Sequence, residues 1–470
     1  MAGSLQSMNH HPRHSLVLDV GKTNVKIHVL DGSQRSLAIY TKDNKTLDEP
    51  PYPHADVDGL WEWMMQVFRT CAAEHDIEAI AVSAHGATAA LVDPSQPGNG
   101  LVLPIMDYEW RGVESIDASY EQLRPPFEET FSPRLPGGLN VGRQLAWQQH
   151  HFPKAFESAV ALLMYPQYWS WRLSGKLVSE VSSLGCHTDL WSPTKRDSSS
   201  LVAGQGWTHL LPPPASAWET VGPIAAIVAK ESGLSATCRV HVGVHDSNAS
   251  LLRFLLAKPG EDFCIVSSGT WVVCMSTRDS LQCLDQTKDM LANVDVEGNP
   301  VPCIRFMGGR EFAEICAATG SAIYQQVSEE DVTRLIANGV TALPNFSNGS
   351  GPFGERKPEI RGTPDNGAAL ATLYCALMVD HCLDLLHVRG DVIVVGAYLQ
   401  NPLLCSLIAQ LRADQPVYIS SDEFGTVRGT AQLTTWSAPV SIATEVCMPS
   451  AIAGLEGYRT LWHEQIGGLA

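Results

Sequence analysis

The architecture of the chain is set by Ser15-Leu-Val-Leu-Asp-Val-Gly-Lys-Thr-Asn-Val-Lys-Ile-His-Val-Leu30. The first half is apolar and ends at Asp19, which is typical of a buried strand. The residues from Val25 to Leu30 alternate between apolar and polar, as a half-buried strand does. Gly21 permits a tight turn between the two halves. The stretch therefore predicts a β-hairpin with a polar turn.

The polar turn has the composition of a phosphate-binding site. Backbone N–H groups of such a turn, together with the hydroxyl of Thr23, can face anionic oxygens. Gly21, Lys22 and Asn24 complete the turn, and Asp19 can reach Mg²⁺ through water. The alternative is an ordinary hairpin whose polar residues satisfy only their own turn.

The same pattern recurs in the second half of the chain. Residues 262–276 again combine an apolar strand, a turn and a second strand, and the turn contains Ser268, Gly269 and Thr270. The repetition predicts a duplicated α/β domain with one phosphate-binding turn in each copy. Two such turns would hold a polyphosphate. The phosphate loop of the form G-x-x-x-x-G-K-[ST] is absent from the sequence.

A carboxylate stands near the middle of the chain in Val242-Gly-Val-His-Asp-Ser-Asn-Ala-Ser-Leu-Leu252. The apolar residues 240–244 predict a short buried strand, and Ser247 or Asn248 is a candidate cap for a helix over 249–256. Ligands of open α/β sheets bind where strands give way to helices. Asp246 is therefore a candidate general base. The alternative is that Asp246 only begins the helix.

Two further strand ends carry groups that suit a hydroxylated ligand. His85 and Gly86 follow the apolar run 77–83, and Tyr108 and Glu109 follow the apolar run 101–106, which predicts another strand. An aromatic ring can stack on the C–H face of a sugar, and a carboxylate accepts hydrogen bonds from its hydroxyls. A buried structural histidine and a solvated surface loop are the respective alternatives.

The second half contains two more candidate nucleotide contacts. Gly308 and Gly309 precede a predicted helix whose N-terminus could face phosphate, although a plain turn explains them equally well. Gly396 and Ala397 follow the buried strand 391–395, and a flat base could lie against such small residues. Asn401 either caps the next helix or touches the nucleotide.

Length and charge restrict the class of protein. A chain of 470 residues exceeds a single hydrophobic core, so we expect two domains. The net charge of −18 argues against binding to nucleic acid or an anionic membrane. No run of about 18 apolar residues is present, and the twelve scattered cysteines lack metal-site spacing, which favours a cytoplasmic protein. Residues 1–14 are polar and predict a disordered leader.

Taken together, five short motifs resemble the FGGY family of carbohydrate kinases over about residues 15–440. They are Asp19-Val-Gly-Lys-Thr-Asn24, His85-Gly86, Gly243-Val-His-Asp246, Ser267-Ser-Gly-Thr270 and Val395-Gly-Ala-Tyr-Leu-Gln-Asn401. The resemblance implies an α/β fold of two actin-like (ribonuclease H-like) ATPase domains with a central inter-domain cleft. It places a sugar-binding N-terminal domain at 15–245 and a nucleotide-binding C-terminal domain at 246–470.

The resemblance also implies an activity. It is the transfer of the ATP γ-phosphate to a sugar hydroxyl, usually a terminal one, and the motif variants look most like the branch that phosphorylates L-fuculose and L-rhamnulose. A homodimer is common in the family. By position, the resemblance assigns the following roles: Asp246 as base and metal neighbour; Asp19 as metal ligand; Gly21, Lys22, Thr23, Asn24, Ser268, Gly269, Thr270, Gly308, Gly309, Gly396, Ala397 and Asn401 to ATP; and His85, Gly86, Tyr108, Glu109 and His245 to sugar.

The sequence departs from the family pattern at three places. Lys22 stands where a small or polar residue is more common, Ala397 replaces a second glycine, and Arg428-Gly-Thr-Ala431 replaces x-Gly-Ala-Ala. The Arg-Glu pair of glycerol kinases near His85 is missing, which counts against glycerol as substrate. Two rival functions are a sugar sensor that has lost catalysis and an ATP-hydrolysing enzyme of the same fold.

Overall fold

The structure is a computed structural model that describes residues 13–277, 280–347, 349–421 and 425–467. The chain divides into two compact units. The first unit comprises Met1–Lys258, Asn293–Asn299 and Phe424–Ser441, and the second comprises Pro259–Ala292, Pro300–Glu423 and Ile442–Ala470. The predicted leader at 1–14 lies outside the described residues except for Arg13 and His14, and His14 already begins the first strand.

The first unit is built on a mixed seven-stranded sheet. Strands His14–Val20, Asn24–Asp31 and Ser36–Asp43 form an antiparallel meander, and Ile77–Ala84 pairs in parallel with the first of them. Arg239–His241 then pairs in parallel with Ile77–Ala84. If these five strands are numbered 1 to 5 in the order in which they are named here, they lie side by side in the sheet as 3-2-1-4-5. Strand Thr220–Pro223 pairs antiparallel with the fifth strand and forms the outer edge.

The remaining strands of the first unit are Thr46–Leu47, His54–Ala55, Ala89–Val92, Ala161–Met164, Trp191–Ser192, Asp197–Ser198 and Val244–His245. Its α-helices are Val57–Glu74, Asp117–Leu123, Phe127–Thr130, Val141–His151, Pro153–Glu157, Tyr165–Ser174, Val181–Leu184, Ser200–Gly204, Ala226–Ser232, Asp246–Ala257 and Gly425–Gln432. Short 3₁₀ helices are Arg111–Ile116, Trp207–Leu210 and Leu433–Thr435.

Helix Val57–Glu74 covers one face of the first sheet. Asp56 caps the helix by accepting a hydrogen bond from the N–H of Gly59 at 2.9 Å. Leu60, Met64 and Phe68 recur at helical spacing and belong to the same core cluster as the sheet strands. Phe68 is fully buried, and the burial of one such side chain contributes about 1.5–3 kcal/mol. The apolar stripe therefore orients the helix.

The first unit includes helix Asp246–Ala257, which the sequence-based boundary at 245/246 placed in the second domain. This helix packs on helix Gly425–Gln432, and a side-chain carbon at Gly429 would overlap the carbonyl oxygen of Ala249. Ala249 and Leu252 join a buried cluster that also holds Leu433. The chain thus returns to the first unit after residue 423, and a single cut in the sequence does not separate the units.

The second unit repeats the strand order of the first. Strands Phe263–Ser268, Val272–Ser276 and Pro300–Phe306 form the antiparallel part, and Asp391–Gly396 and Val417–Ile419 extend the sheet in parallel. The order is again 3-2-1-4-5. The duplicated α/β domain that the sequence predicted is present.

The other strands of the second unit are Met290–Val294, which crosses the unit boundary, Thr341–Leu343, Glu359–Arg361 and Glu445–Val446. Its helices are Gly308–Ala318, Glu329–Ala337, Gly367–Leu385, Pro402–Leu411 and Leu455–Ile466, with 3₁₀ turns at Leu281–Cys283, Gln286–Lys288 and Ala397–Gln400. Helix Gly367–Leu385 is long and apolar enough to cross a membrane, but 89% of its apolar window is buried inside the structure. It is a core helix of the second unit.

Two local predictions were wrong. Residues 101–106 do not form a strand, because only Leu101 and Met106 make isolated bridges there. The helix after His245 begins at Asp246 itself and not after a cap at Ser247 or Asn248.

Candidate functional site

The carboxyl ends of three strands meet at one edge of the first sheet. Val20 is paired with Ala84, and Ala84 is paired with His245, all in parallel register. Asp19 lies one residue before its strand end, and Asp246 follows His245 as the first residue of a helix. The register therefore brings the two carboxylates that the sequence singled out to the same edge.

The charge of Asp246 acts on Asp19. Asp19 accepts a hydrogen bond from the hydroxyl of Ser83 at 2.9 Å. Burial and the charge of Asp246 raise the pKa of Asp19 to about 6, against the lowering effect of the Ser83 bond. A carboxyl group whose pKa is raised by a second carboxylate suits a divalent cation, whose charge compensates both groups. The pair therefore fits Mg²⁺, with Asp19 held in place by Ser83.

Asp246 is oriented by its neighbour in sequence. One of its carboxylate oxygens lies 3.2 Å from Nε2 of His245, and the same oxygen accepts a hydrogen bond from the N–H of Ser247 at 2.6 Å. His245 is buried, and burial lowers the pKa of its imidazole, so the ring is neutral at pH 7. The sequence predicted His245 as a sugar contact, whereas the structure places its ring beside the candidate base.

Asn248 decides which nitrogen of His245 carries the proton. The amide nitrogen of Asn248 lies 3.2 Å from Nδ1 of His245 and 3.5 Å from the carbonyl oxygen of Ser182. An amide donor at Nδ1 leaves the proton on Nε2, which then faces Asp246. Asn248, which the sequence suggested as a helix cap, thus contacts the ring of His245.

Gly86 leaves room for this arrangement. A side-chain carbon at Gly86 would lie 2.8 Å from Nε2 of His245 and 3.3 Å from the sulfur of Cys186. The sulfur of Cys186 itself lies 3.6 Å from the same nitrogen. The close approach explains the glycine, whereas sequence analysis assigned Gly86 directly to the sugar.

A small polar pocket opens beside this edge. His85 follows the strand end, and its ring lies 5.5 Å from that of Tyr108 and 5.0 Å from that of Tyr165. The rings of His85, Tyr108 and Tyr165 line the pocket together with Asp107. Glu109 does not line it, and 67% of its side-chain surface is exposed. His85 and Tyr108 are therefore brought together as the sequence predicted, although they come from segments more than 20 residues apart.

The turn after Asp19 is held by a residue that the sequence did not indicate. The N–H of Gly21 donates to the carbonyl of Asn24 at 3.0 Å, which closes the turn. Asn44 braces it from outside, because its backbone N–H donates to the carbonyl of Thr23 at 2.8 Å and its amide to that of Gly21 at 2.7 Å. Thr23 and Asn24 remain exposed and available to a ligand.

In the second unit, three of the predicted nucleotide segments converge. Ser268 is paired with Gly396 across parallel strands, and Gly309 lies against the carbonyl of Gly269. Ser268 donates its hydroxyl proton to Val395 at 2.6 Å and accepts the N–H of Tyr398 at 2.9 Å. Its hydroxyl thus joins the segments to one another.

The open surface of this cluster is formed by small residues. Thr270, Gly396 and Ala397 are exposed, whereas Gly308 is buried beside Val272 and the hydroxyl of Tyr398. Gly269 differs from Gly308, Gly309 and Gly396, because a side-chain carbon at Gly269 would meet only the carbonyl of Trp271, at 3.8 Å. The protein itself does not require glycine at this position.

Asn401 is a helix cap. It accepts the N–H of Leu404 at 3.2 Å, and its amide donates to the hydroxyl of Thr372 at 2.8 Å. Sequence analysis left open whether Asn401 caps the helix or touches the nucleotide, and the structure shows the cap.

Comparisons with known proteins agree with this geometry. Residues 14–253 match the N-terminal domain of the FGGY family of carbohydrate kinases, and residues 260–441 match the C-terminal domain of carbohydrate kinase FGGY. The chain belongs to the FGGY family. The crystal structure of a carbohydrate kinase from Novosphingobium aromaticivorans is 32% identical, with a TM-score of 0.89 over 97% of this chain and 99% of that one. The predicted fold class is confirmed.

Curated relatives in the FGGY family are more distant. L-fuculokinase of Salmonella typhi is 24% identical over 55% of this chain and 56% of its own length. Probable L-xylulose kinase of Pasteurella multocida (strain Pm70) is 24% identical over 49% of each chain. The chain therefore spans about half the length of these two curated relatives.

Replacing Asn248 with Leu is expected to lower kcat about tenfold and to leave the KM for both substrates nearly unchanged. Leucine removes the donor that fixes the imidazole tautomer and leaves two buried acceptors unpaired, at a cost of about 1–3 kcal/mol in stability. Steady-state kinetics across a pH range measures the effect.

The matched control for this variant is Asn140→Leu. Asn140 is equally buried, and its amide bonds to the carbonyls of Pro133 and His187 and not to the ring of His245. We expect it to lower the thermal midpoint without changing the pH profile of kcat. An equal loss of kcat in both variants would show that Asn248 acts through stability alone.

Proposed function

We propose that this FGGY protein is an ATP-dependent kinase that transfers the γ-phosphate to a hydroxyl of a small sugar, with Asp246 as general base. The observation that supports this most is the register Val20–Ala84–His245, which places Asp19 and Asp246 at one strand edge next to a pocket lined by rings and polar groups. We propose the cytoplasm as its location.

The first unit would bind and activate the sugar. His85 and Tyr108 offer rings for the C–H faces of the sugar and polar atoms for its hydroxyls. Asp246 accepts the proton of the attacking hydroxyl, and the neutral His245 holds one carboxylate oxygen so that the other is free for this proton. Phosphoryl transfer needs little covalent participation from the protein, so positioning and charge compensation dominate.

Mg²⁺ is the metal that fits the carboxylate pair. Asp19 would hold it, directly or through water, with Asp246 nearby. Bound there, the ion neutralises charge on the phosphate oxygens. The polar turn of Gly21, Thr23 and Asn24 offers N–H and hydroxyl groups to the same oxygens.

The second unit would bind the nucleotide. Gly269 and Thr270 form a turn whose backbone is open to phosphate, and Gly396 and Ala397 give a flat, exposed surface for adenosine. Asn401 supports this surface as a helix cap and does not use its amide for the ligand.

The substrate class we propose is a small ketose, with L-fuculose and L-rhamnulose as the first choices. The match to an L-fuculokinase and to a probable L-xylulose kinase supports a ketose more than an aldose. A coupled ADP-release assay over L-fuculose, L-rhamnulose, L- and D-ribulose, xylulose, erythrulose and glycerol tests this proposal. We expect one ketose to exceed the others clearly and glycerol to be inactive.

The same assay separates the kinase from its rivals. A sugar kinase releases ADP only with its sugar, whereas an ATP-hydrolysing enzyme releases ADP without one. A sugar sensor binds both ligands and releases none. ADP release that is independent of every sugar would overturn the proposed function.

A further inference from the structure

The side chain of Lys22 lines the same pocket as His85 and Tyr108, although its backbone lies in the turn after Asp19. Its Nζ lies 2.5 Å from a carboxylate oxygen of Asp107 and 3.7 Å from one of Glu109. It also lies 4.9 Å from the centre of the Tyr108 ring. The family resemblance assigns Lys22 to ATP, but all three of these neighbours lie in the segment that follows Met106.

The Lys22–Asp107 pair is well shielded from solvent. The side chain of Asp107 is 9% exposed and that of Lys22 is 24% exposed. The other carboxylate oxygen of Asp107 accepts the hydroxyl of Thr46 at 2.7 Å, and the backbone N–H of Glu109 donates to the oxygen that faces Lys22. Asp107 is thus held in place from two sides, and the ion pair is a fixed part of the pocket.

The pair makes the pocket electrically balanced. Among the described lining residues, Lys22 and Lys45 carry positive charge and Asp107 carries negative charge, while Glu109 adds a second carboxylate next to Lys22. The ammonium group of Lys22 therefore faces two carboxylates before any ligand arrives. Lys45 is exposed, so Lys22 is the shielded cation of the pocket. A ligand carboxylate that paired with Lys22 would have to displace Asp107 and lie beside both negative groups, which costs free energy in a shielded site.

A neutral sugar meets no such penalty. A lysine ammonium has three protons, of which Asp107 takes one and Thr46, at 3.5 Å, approaches another. The remaining donor can serve a sugar hydroxyl while the ion pair stays intact.

From this charge arrangement we propose that the Lys22–Asp107 pair makes the pocket selective for neutral polyhydroxylated sugars over sugar acids, with Lys22 as a specificity-determining residue. This inference rests on the proposed kinase function and names the substrate class of the same pocket. It assigns no role to Lys22 in binding ATP.

The test compares kcat/KM for the best neutral ketose with that for D-gluconate, a sugar acid. We expect the wild-type enzyme to favour the ketose by at least about 100-fold, as the repulsion between like charges at close range allows. Asp107→Asn keeps the shape and, with its oxygen toward Lys22 and the N–H of Glu109, can donate its amide to the hydroxyl of Thr46, but it removes the anion next to Lys22. This substitution is expected to lower the ratio of kcat/KM for the ketose to kcat/KM for gluconate by about tenfold or more. Glu109→Gln, at an exposed position, is expected to move it in the same direction by less.

Lys22→Met provides the opposite change. It is expected to raise the KM for the ketose about tenfold, to leave the KM for ATP unchanged, and to give no gain with gluconate. The matched control is Lys42→Met, on the edge strand Ser36–Asp43, for which we expect wild-type kinetics with both substrates.

Three results would overturn the inference. One is a wild-type preference for gluconate. Another is a ketose-to-gluconate ratio that stays constant in Asp107→Asn and Glu109→Gln. The third is a Lys22→Met variant whose KM rises for ATP and not for sugar. The failure of every sugar and of gluconate to be phosphorylated is distinguishable from these, because it overturns the kinase proposal itself.

Discussion

Replacing Asp246 with Asn is expected to lower kcat by about 10²–10⁴-fold while ATP and sugar still bind. Asparagine has the same shape and can keep the contact with His245, but it cannot accept the proton of the sugar hydroxyl. The charge of Asp246 also contributes to the raised pKa of Asp19, so its removal should lower that pKa. Single-turnover kinetics, together with calorimetric binding of each ligand, measures the effect.

The matched control is Asp58→Asn. Asp58 also lies in the first turn of a helix of the same unit but is exposed. We expect it to retain wild-type kcat. Near-normal turnover in Asp246→Asn would refute the assignment of the base, and loss of sugar binding in that variant would assign Asp246 to binding.

The second large effect is expected at Gly269. Substitution by Val should weaken ATP binding by at least about tenfold and leave sugar binding and the thermal midpoint nearly unchanged. A side-chain carbon at Gly269 meets only the carbonyl of Trp271, at 3.8 Å, so the protein accommodates it. The added atoms instead occupy the space through which a phosphate would approach the backbone. Isothermal calorimetry with a non-hydrolysable ATP analogue measures the change.

Gly457→Val serves as the comparison for this variant. Gly457 is in the same unit, and a side-chain carbon there meets no atom within 4 Å. Unchanged nucleotide affinity in Gly269→Val would remove this turn from the ATP site. Equal losses in both variants would indicate a general effect on the second unit.

The sequence predicted the features that arise from local patterns. Each hairpin is encoded by an apolar strand, a small-residue turn and a second strand within about 16 residues, and both hairpins formed where they were expected. Asp246 was recognised as a strand-end carboxylate for the same reason. Periodicity of this kind depends only on neighbouring residues, so it can be recognised in a sequence without knowledge of the tertiary contacts.

Two of the contacts that the sequence missed are long-range. Lys22 meets Asp107 across 85 residues of chain, and Asn44 braces a turn that is more than 20 residues away. Both depend on tertiary structure, which a single sequence does not reveal. The third contact is local: Asn248 was taken for a cap because Asn is common there, but the helix begins two residues earlier, so the amide of Asn248 faces His245.

The return of the chain to the first unit has a consequence for biosynthesis. A ribosome completes residues 1–258 long before it reaches helix Gly425–Gln432, and until then the face of helix Asp246–Ala257 that carries Ala249 lacks its cover. Most of the second unit, up to Glu423, is synthesised before the last segment of the first unit, Phe424–Ser441. The segment that carries the candidate base therefore lacks part of its native packing until residues 425–433 have been synthesised, and a chain that ends before residue 425 lacks this cover altogether.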